Sequence, residues 1–250
     1  VHKINQAMIM AAGLGTRMRP LTDKIAKPMI EVNGVSLIEY TLHKLFQINI
    51  ELVVINLHHH AKLLQEFIEN LTISKNFEII FSHEIEQPLE AGGTIMALPY
   101  FSNEPFFIVN SDVIWDEPDG LLLDNMAKQW DSDIMDLLMS LQPKNNAYGH
   151  DGNGDYNISK NNQIIYNSNI KAHDYIFSGA RITTKKLFEG LPVAKFHFFK
   201  DFLFKKYLND QHLLDRTYGV VHKGRWFDIG NTSGLLLARQ LLEKQPILTL

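Results

Sequence analysis

The chain has 250 residues, 45% of them apolar and 21% charged, and a formal charge of −4, the composition of an ordinary globular protein rather than a basic nucleic-acid binder. It has no Cys, which removes disulfides, zinc thiolates and thiol catalysis and suits the reducing cytoplasm expected as its location. The longest apolar run near the start, Ala7 to Ala12, is too short for a signal h-region or a membrane span, so no membrane partner is expected.

Ala7–Ala12 is continuous rather than alternating and predicts a fully buried strand. Gly13–Lys27 follows as a long loop rich in Gly, Thr and Arg. Ser36-Leu37-Ile38-Glu39 has capping-box spacing and opens a helix with Ile38, Thr41, Leu42 and Leu45 on one face. Leu52–Asn56 predicts a second strand, and Leu63, Leu64, Phe67, Ile68 and Leu71 mark an amphipathic helix. Phe77–Phe81 reads as a third strand. Ala91–Leu98 reads as a short helix opened by Gly92-Gly93 and closed by Pro99. Phe106–Val109 is a fourth strand ending at Asn110-Ser111-Asp112. Such alternation predicts an α/β, Rossmann-like fold: a mixed, mostly parallel sheet flanked by helices.

The second half is less regular. Gly120–Trp130 predicts a helix and Ile134–Leu141 a strand, with hairpin strands around Tyr156–Ile158 and Gln163–Tyr166. Tyr175–Ile182 is a strand with Gly179 inside it, and Phe198–Leu208 an aromatic-rich helix. Short strands at Thr217–Val221 and Trp226–Ile229 precede a closing helix, Thr232–Glu243. No Pro/Gly/Ser linker divides the chain, so one domain over residues 1–250 is expected, its second half a small antiparallel extension over a cleft.

The loop after the first strand carries the strongest chemistry. Gly13 and Gly15 allow backbone N–H groups to face an anion without side chains in the way. Arg17 offers a bidentate fork to phosphate and Lys27 a compact point charge. The run lacks the G-x-x-x-x-G-K-S/T of a P-loop, and Met18 stands where a dinucleotide fingerprint needs a third glycine. Asp112 lies just past a strand's C-terminal end, where open α/β sheets bind ligands, and Asp228 sits in a later apolar segment. Two such carboxylates, with phosphate oxygens and water, suit Mg²⁺. His58-His59-His60 reads as a polar helix start rather than a metal cluster, because consecutive residues cannot all face one ion. Trp115-Asp116-Glu117 reads as a surface turn.

With these motifs, the chain resembles the sugar-1-phosphate nucleotidyltransferases. The resemblance runs through the Ala11–Pro20 loop with Lys27-Pro28, Pro88-Leu89-Glu90-Ala91-Gly92-Gly93, Val109–Val113, Phe177-Ser178-Gly179 and Gly224–Gly230. Within that family it looks most like the short bacterial enzymes that make UDP-N-acetylmuramic acid from N-acetylmuramate 1-phosphate in cell-wall recycling. The resemblance implies a transfer from a nucleoside triphosphate to a sugar 1-phosphate with pyrophosphate release. It implies Arg17, Lys27 and Asp112 as catalytic residues, and Asp112 and Asp228 as ligands of Mg²⁺. Nucleotide contacts fall to Ala11, Ala12, Gly13, Gly15, Thr16 and Arg17, and base contacts to Glu84 with Gly92 or Gly93, Glu86 being the alternative to Glu84. Lys27, Asn110, Gly154 and Gly179 would meet the sugar phosphate, so 1–113 becomes the nucleotide half and 114–250 the sugar half. Where relatives place a second lysine this chain has Phe196-His197-Phe198, and Lys195 or Lys200 is the candidate substitute. UTP is favoured by resemblance alone. Mannose, glucose or heptose 1-phosphate with another nucleotide is the alternative, and a non-catalytic regulatory relative a third reading.

Overall fold

The apolar runs of the first half become strands of one sheet, all but one of them inner and covered on both faces, the strand of residues 78–83 forming its edge. In the computed structural model, which describes residues 4–84, 90–101, 105–165, 172–194 and 214–247, they are β1 (Gln6–Met10), β4 (Leu52–Leu57), β5 (Glu78–His83) and β6 (Phe106–Asn110). Small strands β2 (Glu31–Val32) and β3 (Val35–Ser36) form a hairpin between the first two of these. From the second half come β8 (Leu137–Pro143), β12 (Tyr175–Thr183) and β13 (Thr217–Val221). Together they form one seven-stranded sheet in the order β13-β8-β12-β6-β1-β4-β5. Every neighbouring pair is parallel except the two that involve β12, so β12 alone runs against the rest.

Alternating residues of the inner strands feed two cores. Ala7, Ile9, Val53, Ile55, Phe107 and Val109 pack on one face with Ile38, Leu42 and Leu45 of α1 (Leu37–Gln47) and Leu64 and Ile68 of α2 (Ala61–Asn70). Leu122, Leu123 and Met126 of α4 (Leu122–Gln129) join them. Met8, Val54, Phe106 and Ile108 pack on the opposite face, with Ala91 and Ala97 of α3 (Glu90–Ala97). Ser36 caps α1, its hydroxyl accepting from the Glu39 N–H at 3.3 Å. Leu63, expected on the buried face of α2, is instead 40% exposed, because the inward stripe is filled by Leu64 and Ile68.

A smaller sheet sets the geometry of the cleft. β7 (Val113–Trp115), β14 (Trp226–Asp228) and β9 (Ala147–Tyr148) lie in the order β7-β14-β9, while β10 (Asn157–Ile158) and β11 (Ile164–Ile165) form a separate hairpin. The stretch expected as a surface turn is therefore partly a buried strand: Trp115 is 1% exposed, and Glu117 accepts from the Trp115 indole and from Lys44. A third apolar cluster joins Met18 of the glycine loop to Ile114, Phe227 and Ile229, and to Leu235, Ala238 and Leu242 of α5 (Thr232–Lys244). That packing fixes the loop against the small sheet. The helix expected at Phe198–Leu208, and Glu86, Lys195, Lys200 and Phe196-His197-Phe198, lie outside the described residues.

Candidate active site

Residues 13 to 29 are built from three short 3₁₀ turns rather than one open loop: Thr16–Met18, Leu21–Asp23 and Lys27–Met29. Gly15 adopts φ +62, and a Cβ there would lie 2.7 Å from Thr22 Cγ2, so both its backbone and its surroundings require glycine. Gly13 has open space above its α-carbon, as a backbone segment facing a ligand would. Lys27 is 8% exposed, and its ammonium donates to Asp112 Oδ2 at 2.6 Å.

The end of β6 presents the first carboxylate. Ser111 ties that end to β1, its hydroxyl donating to the Met10 carbonyl at 2.7 Å. Burial pushes the Asp112 carboxyl up, but the Lys27 ammonium and then the Arg17 guanidinium outweigh it and hold the group below the usual range. The second carboxylate comes from the pairing of β14 with β7, in which Asp228 faces Val113 and the Ile229 N–H donates to the Asp112 carbonyl at 3.0 Å. Asp228 Oδ1 accepts from the Gly230 N–H at 2.7 Å. A Cβ on Gly230 would meet both Asp228 Oδ1 at 2.6 Å and Arg17 Nη2 at 2.9 Å, so Gly230 leaves the room in which these groups approach.

These groups border a cavity of about 320 Å³ lined by Arg17, Asn110, Asp112, Asp228 and Gly179. His150, Asp155, Tyr156, Phe177 and Trp226 also line it. Gly179 sits at φ +99 where the β12–β8 register shifts, and a Cβ there would press on Val113 and Asn110. Gly154 is not a lining residue; it sits against the His173 carbonyl, 2.3 Å from where a Cβ would stand. His150, which the sequence reading passed over, lies 3.7 Å from Asp228 Oδ2, and that carboxylate raises the imidazole above its usual range. Its signal was faint: one His in a Gly- and Asn-rich loop.

A second pole lies at the ends of β1 and β4. Asn56 accepts from the Ala11 N–H at 2.6 Å and donates to Glu84 Oε1 at 2.8 Å. Glu84 is buried, and its Oε2 has no partner among the described residues. Burial pushes its carboxyl up to about 7, against the lowering effects of the Asn56 hydrogen bond and nearby His58. Gly92 and Gly93 lie inside α3 rather than opening it. A Cβ on Gly93 would fall 2.0 Å from Glu84 Oε1, so the helix approaches the carboxyl this closely only through glycine. Asn56 was legible only as a polar residue closing an apolar strand.

Among the described residues no three His, Asp or Glu side chains cluster as a ready-made metal cage. Asp112 and Asp228 nonetheless fit Mg²⁺, which binds through one or two carboxylates and completes its shell with water and phosphate. The arrangement offers a cation-rich loop, two adjacent hard carboxylates and a buried hydrogen-bond acceptor some distance along the same sheet edge. It is suited to polyphosphate chemistry without a general base.

Comparison with known proteins gives the family and the fold. The sequence model for the family described as Nucleotidyl transferase matches residues 6–245. The N-acetylmuramate alpha-1-phosphate uridylyltransferase of Caulobacter vibrioides is 31% identical, over 94% of this chain and 96% of its own. The mannose-1-phosphate guanylyltransferase catalytic subunit beta of Drosophila melanogaster is 28% identical, over 92% of this chain and 61% of its own. Among solved structures, HddC from Yersinia pseudotuberculosis superposes with a TM-score of 0.74 at 23% identity, over 96% of this chain and 100% of that one, a likeness of fold.

Proposed function

The chain belongs to the nucleotidyl transferase family, and from that premise we propose that it joins UTP to N-acetylmuramate 1-phosphate, releasing pyrophosphate, in the cytoplasm and with Mg²⁺. The observation that carries the proposal is the convergence of three separate stretches of chain: Arg17, Asp112 and Asp228 line one cavity, and Lys27, from the same loop as Arg17, is bonded to Asp112 beside it. In this reading residues 1–113 bind the nucleotide and residues 114–250 the sugar, within one domain.

An oxygen of the sugar phosphate attacks the α-phosphorus, and the bond from that phosphorus to the β-phosphate bridging oxygen breaks. The nucleophile is a phosphate whose second pKa is about 6, so it arrives ionised and needs no base. Two anions must meet, so alignment and charge neutralisation supply the rate. Ala11, Ala12, Gly13, Gly15 and Thr16 line the path of the triphosphate, and Arg17 bonds its β- and γ-oxygens. Lys27 serves the α-phosphate and the incoming phosphate, its position fixed by Asp112. Mg²⁺ held by Asp112 and Asp228 would neutralise phosphate charge. Asn110 and the backbone at Gly179 meet sugar hydroxyls, and Gly154 holds the adjoining turn that presents Asp155 and Tyr156.

Glu84, with Gly92 and Gly93, takes the base. Near neutral pH the carboxyl, raised to about 7 by burial, is shared between a carboxylate that only accepts and an acid that can also donate; its carboxylate form suits a base edge that offers an N–H, as uracil N3–H and guanine N1–H both do. The choice of UTP therefore rests on the uridylyltransferase relative, and a guanylyl transfer to mannose 1-phosphate is the second reading, favoured by the Drosophila relative. Lys27→Ala and Asp112→Asn should each lower pyrophosphate release by at least about a thousandfold while the circular dichroism stays native, the scale of losing a main electrostatic contact to the reacting phosphates. Near-normal rates in either variant would contradict the assignment.

A further inference from the structure

The three consecutive histidines at the end of β4 take no part in the chemistry above, yet each makes a directed contact. His58 Nδ1 lies 2.8 Å from the Glu84 carbonyl oxygen. His59 Nε2 and His60 Nε2 lie 2.9 Å and 3.3 Å from a single acceptor, the Thr22 carbonyl oxygen. A carbonyl can only accept, so each of those nitrogens carries a hydrogen: His58 donates through Nδ1, and His59 and His60 through Nε2. Thr22 is 1% exposed, and its hydroxyl donates to the Gly15 carbonyl at 2.8 Å. One residue therefore separates the paired imidazoles from the turn at Gly15.

We infer that His58, His59 and His60 are positioning residues that fasten the nucleobase wall and the triphosphate loop to the same strand end. The inference rests on the nucleotide roles proposed for Glu84 and Gly15. Asn56, two residues earlier, holds Ala11 and the Glu84 side chain from the same end of β4. The strand end thus grips the loop at Ala11 and at Thr22, and grips Glu84 by both side chain and backbone. A helix start that needed only polarity would use a capping side chain. His60 makes no such cap on α2, and it adopts φ 53, a conformation unfavourable to a residue with a Cβ. Its ring instead packs beside that of His59, with centroids 4.0 Å apart, so that both rings reach Thr22.

The test separates the donors from the rings. The double variant His59→Phe/His60→Phe keeps ring volume and loses both N–H groups, whereas His59→Gln/His60→Gln returns an Nε2–H at similar reach. Each protein is titrated with UTP and Mg²⁺ by calorimetry, then assayed at steady state with N-acetylmuramate 1-phosphate. The Phe pair should weaken UTP binding about tenfold, the effect of one to two net hydrogen bonds, and raise the KM for UTP by the same factor. The KM for the sugar phosphate should stay within about twofold, and the Gln pair should recover most of the loss. The inference is overturned if the Phe pair binds UTP like the parent, if both KM values rise together, or if the Gln pair is as weak as the Phe pair. A parent that binds neither UTP nor GTP would instead bring down the nucleotide reading, and this inference with it.

Discussion

Glu84 is held as a far weaker acid than an exposed glutamate, and that has a consequence for stability. Its carboxyl titrates near 7 in the fold against a reference of 4.5, chiefly because it is buried. Between those values the folded state binds the proton more than the unfolded state does, so stability is fully present below about 4.5 and falls as pH rises through 7. Glu84→Gln removes that dependence. The variant should match the parent near pH 4.5 and exceed it at pH 8 by a margin of order 3 kcal/mol, read from urea unfolding at each pH. Parallel curves for the two proteins would contradict the burial. At this scale the sequence marked Arg17 and Lys27, in the glycine loop, and Asp112 and Asp228, at strand ends, as candidates, and the structure places Arg17, Asp112 and Asp228 on one cavity with Lys27 bonded to Asp112. His150 and Asn56 were not legible, because a lone imidazole in a loop and an amide closing a strand acquire meaning only from partners far along the chain.

The glycine loop and the turn around Gly154 separate a glycine with open space beside it from one packed against backbone. Gly13 has nothing within 4 Å of a built Cβ. Gly13→Ala should therefore shift stability by no more than about 0.5 kcal/mol while weakening nucleotide binding, measured by thermal melting and UTP titration on one sample. Gly154→Ala should do the reverse, because its Cβ would strike the His173 carbonyl and its φ is +88. A loss of about 2–4 kcal/mol is expected, the sum of an overpacked site and a left-handed residue. Ser36→Ala removes the acceptor that caps α1 and should cost about 1 kcal/mol with activity intact. The elements themselves were legible where an apolar run was continuous or a helical period was strong: the inner strands, α1 and the closing helix fall close to their expected positions. β7 and β9 were not, since strands of three and two residues carry no period, and Trp115 looked like a turn residue until β14 was seen to pair with β7. The local pattern of Gly92-Gly93 reads as a helix opening. Their place inside the helix reflects the close approach to Glu84, which no local pattern announces.

At the scale of the whole molecule, β1, β4, β5 and β6 bring the loop and the first carboxylate to one sheet edge, and the small β7-β14-β9 sheet brings Asp228 to the same place. The chain is a sugar-1-phosphate nucleotidyltransferase by family, and its relatives include both uridylyl and guanylyl transferases. The mixed, mostly parallel sheet was legible because alternating strand and helix patterns admit few topologies. The reaction class was legible because the glycine loop lacks the features of commoner phosphate binders. The sugar was not, because of His150, Asp155, Tyr156, Phe177 and Trp226, which also line the cavity, the family motifs cover only Phe177 and Trp226, and the other three come from an irregular stretch with no period. The most direct measurement is pyrophosphate release from a matrix of UTP, GTP, CTP, ATP and dTTP against N-acetylmuramate, N-acetylglucosamine, mannose and glucose 1-phosphates. The account predicts release that needs both substrates and a divalent cation and is fastest for UTP with N-acetylmuramate 1-phosphate; no release from any pair, or release independent of the sugar phosphate, would contradict it.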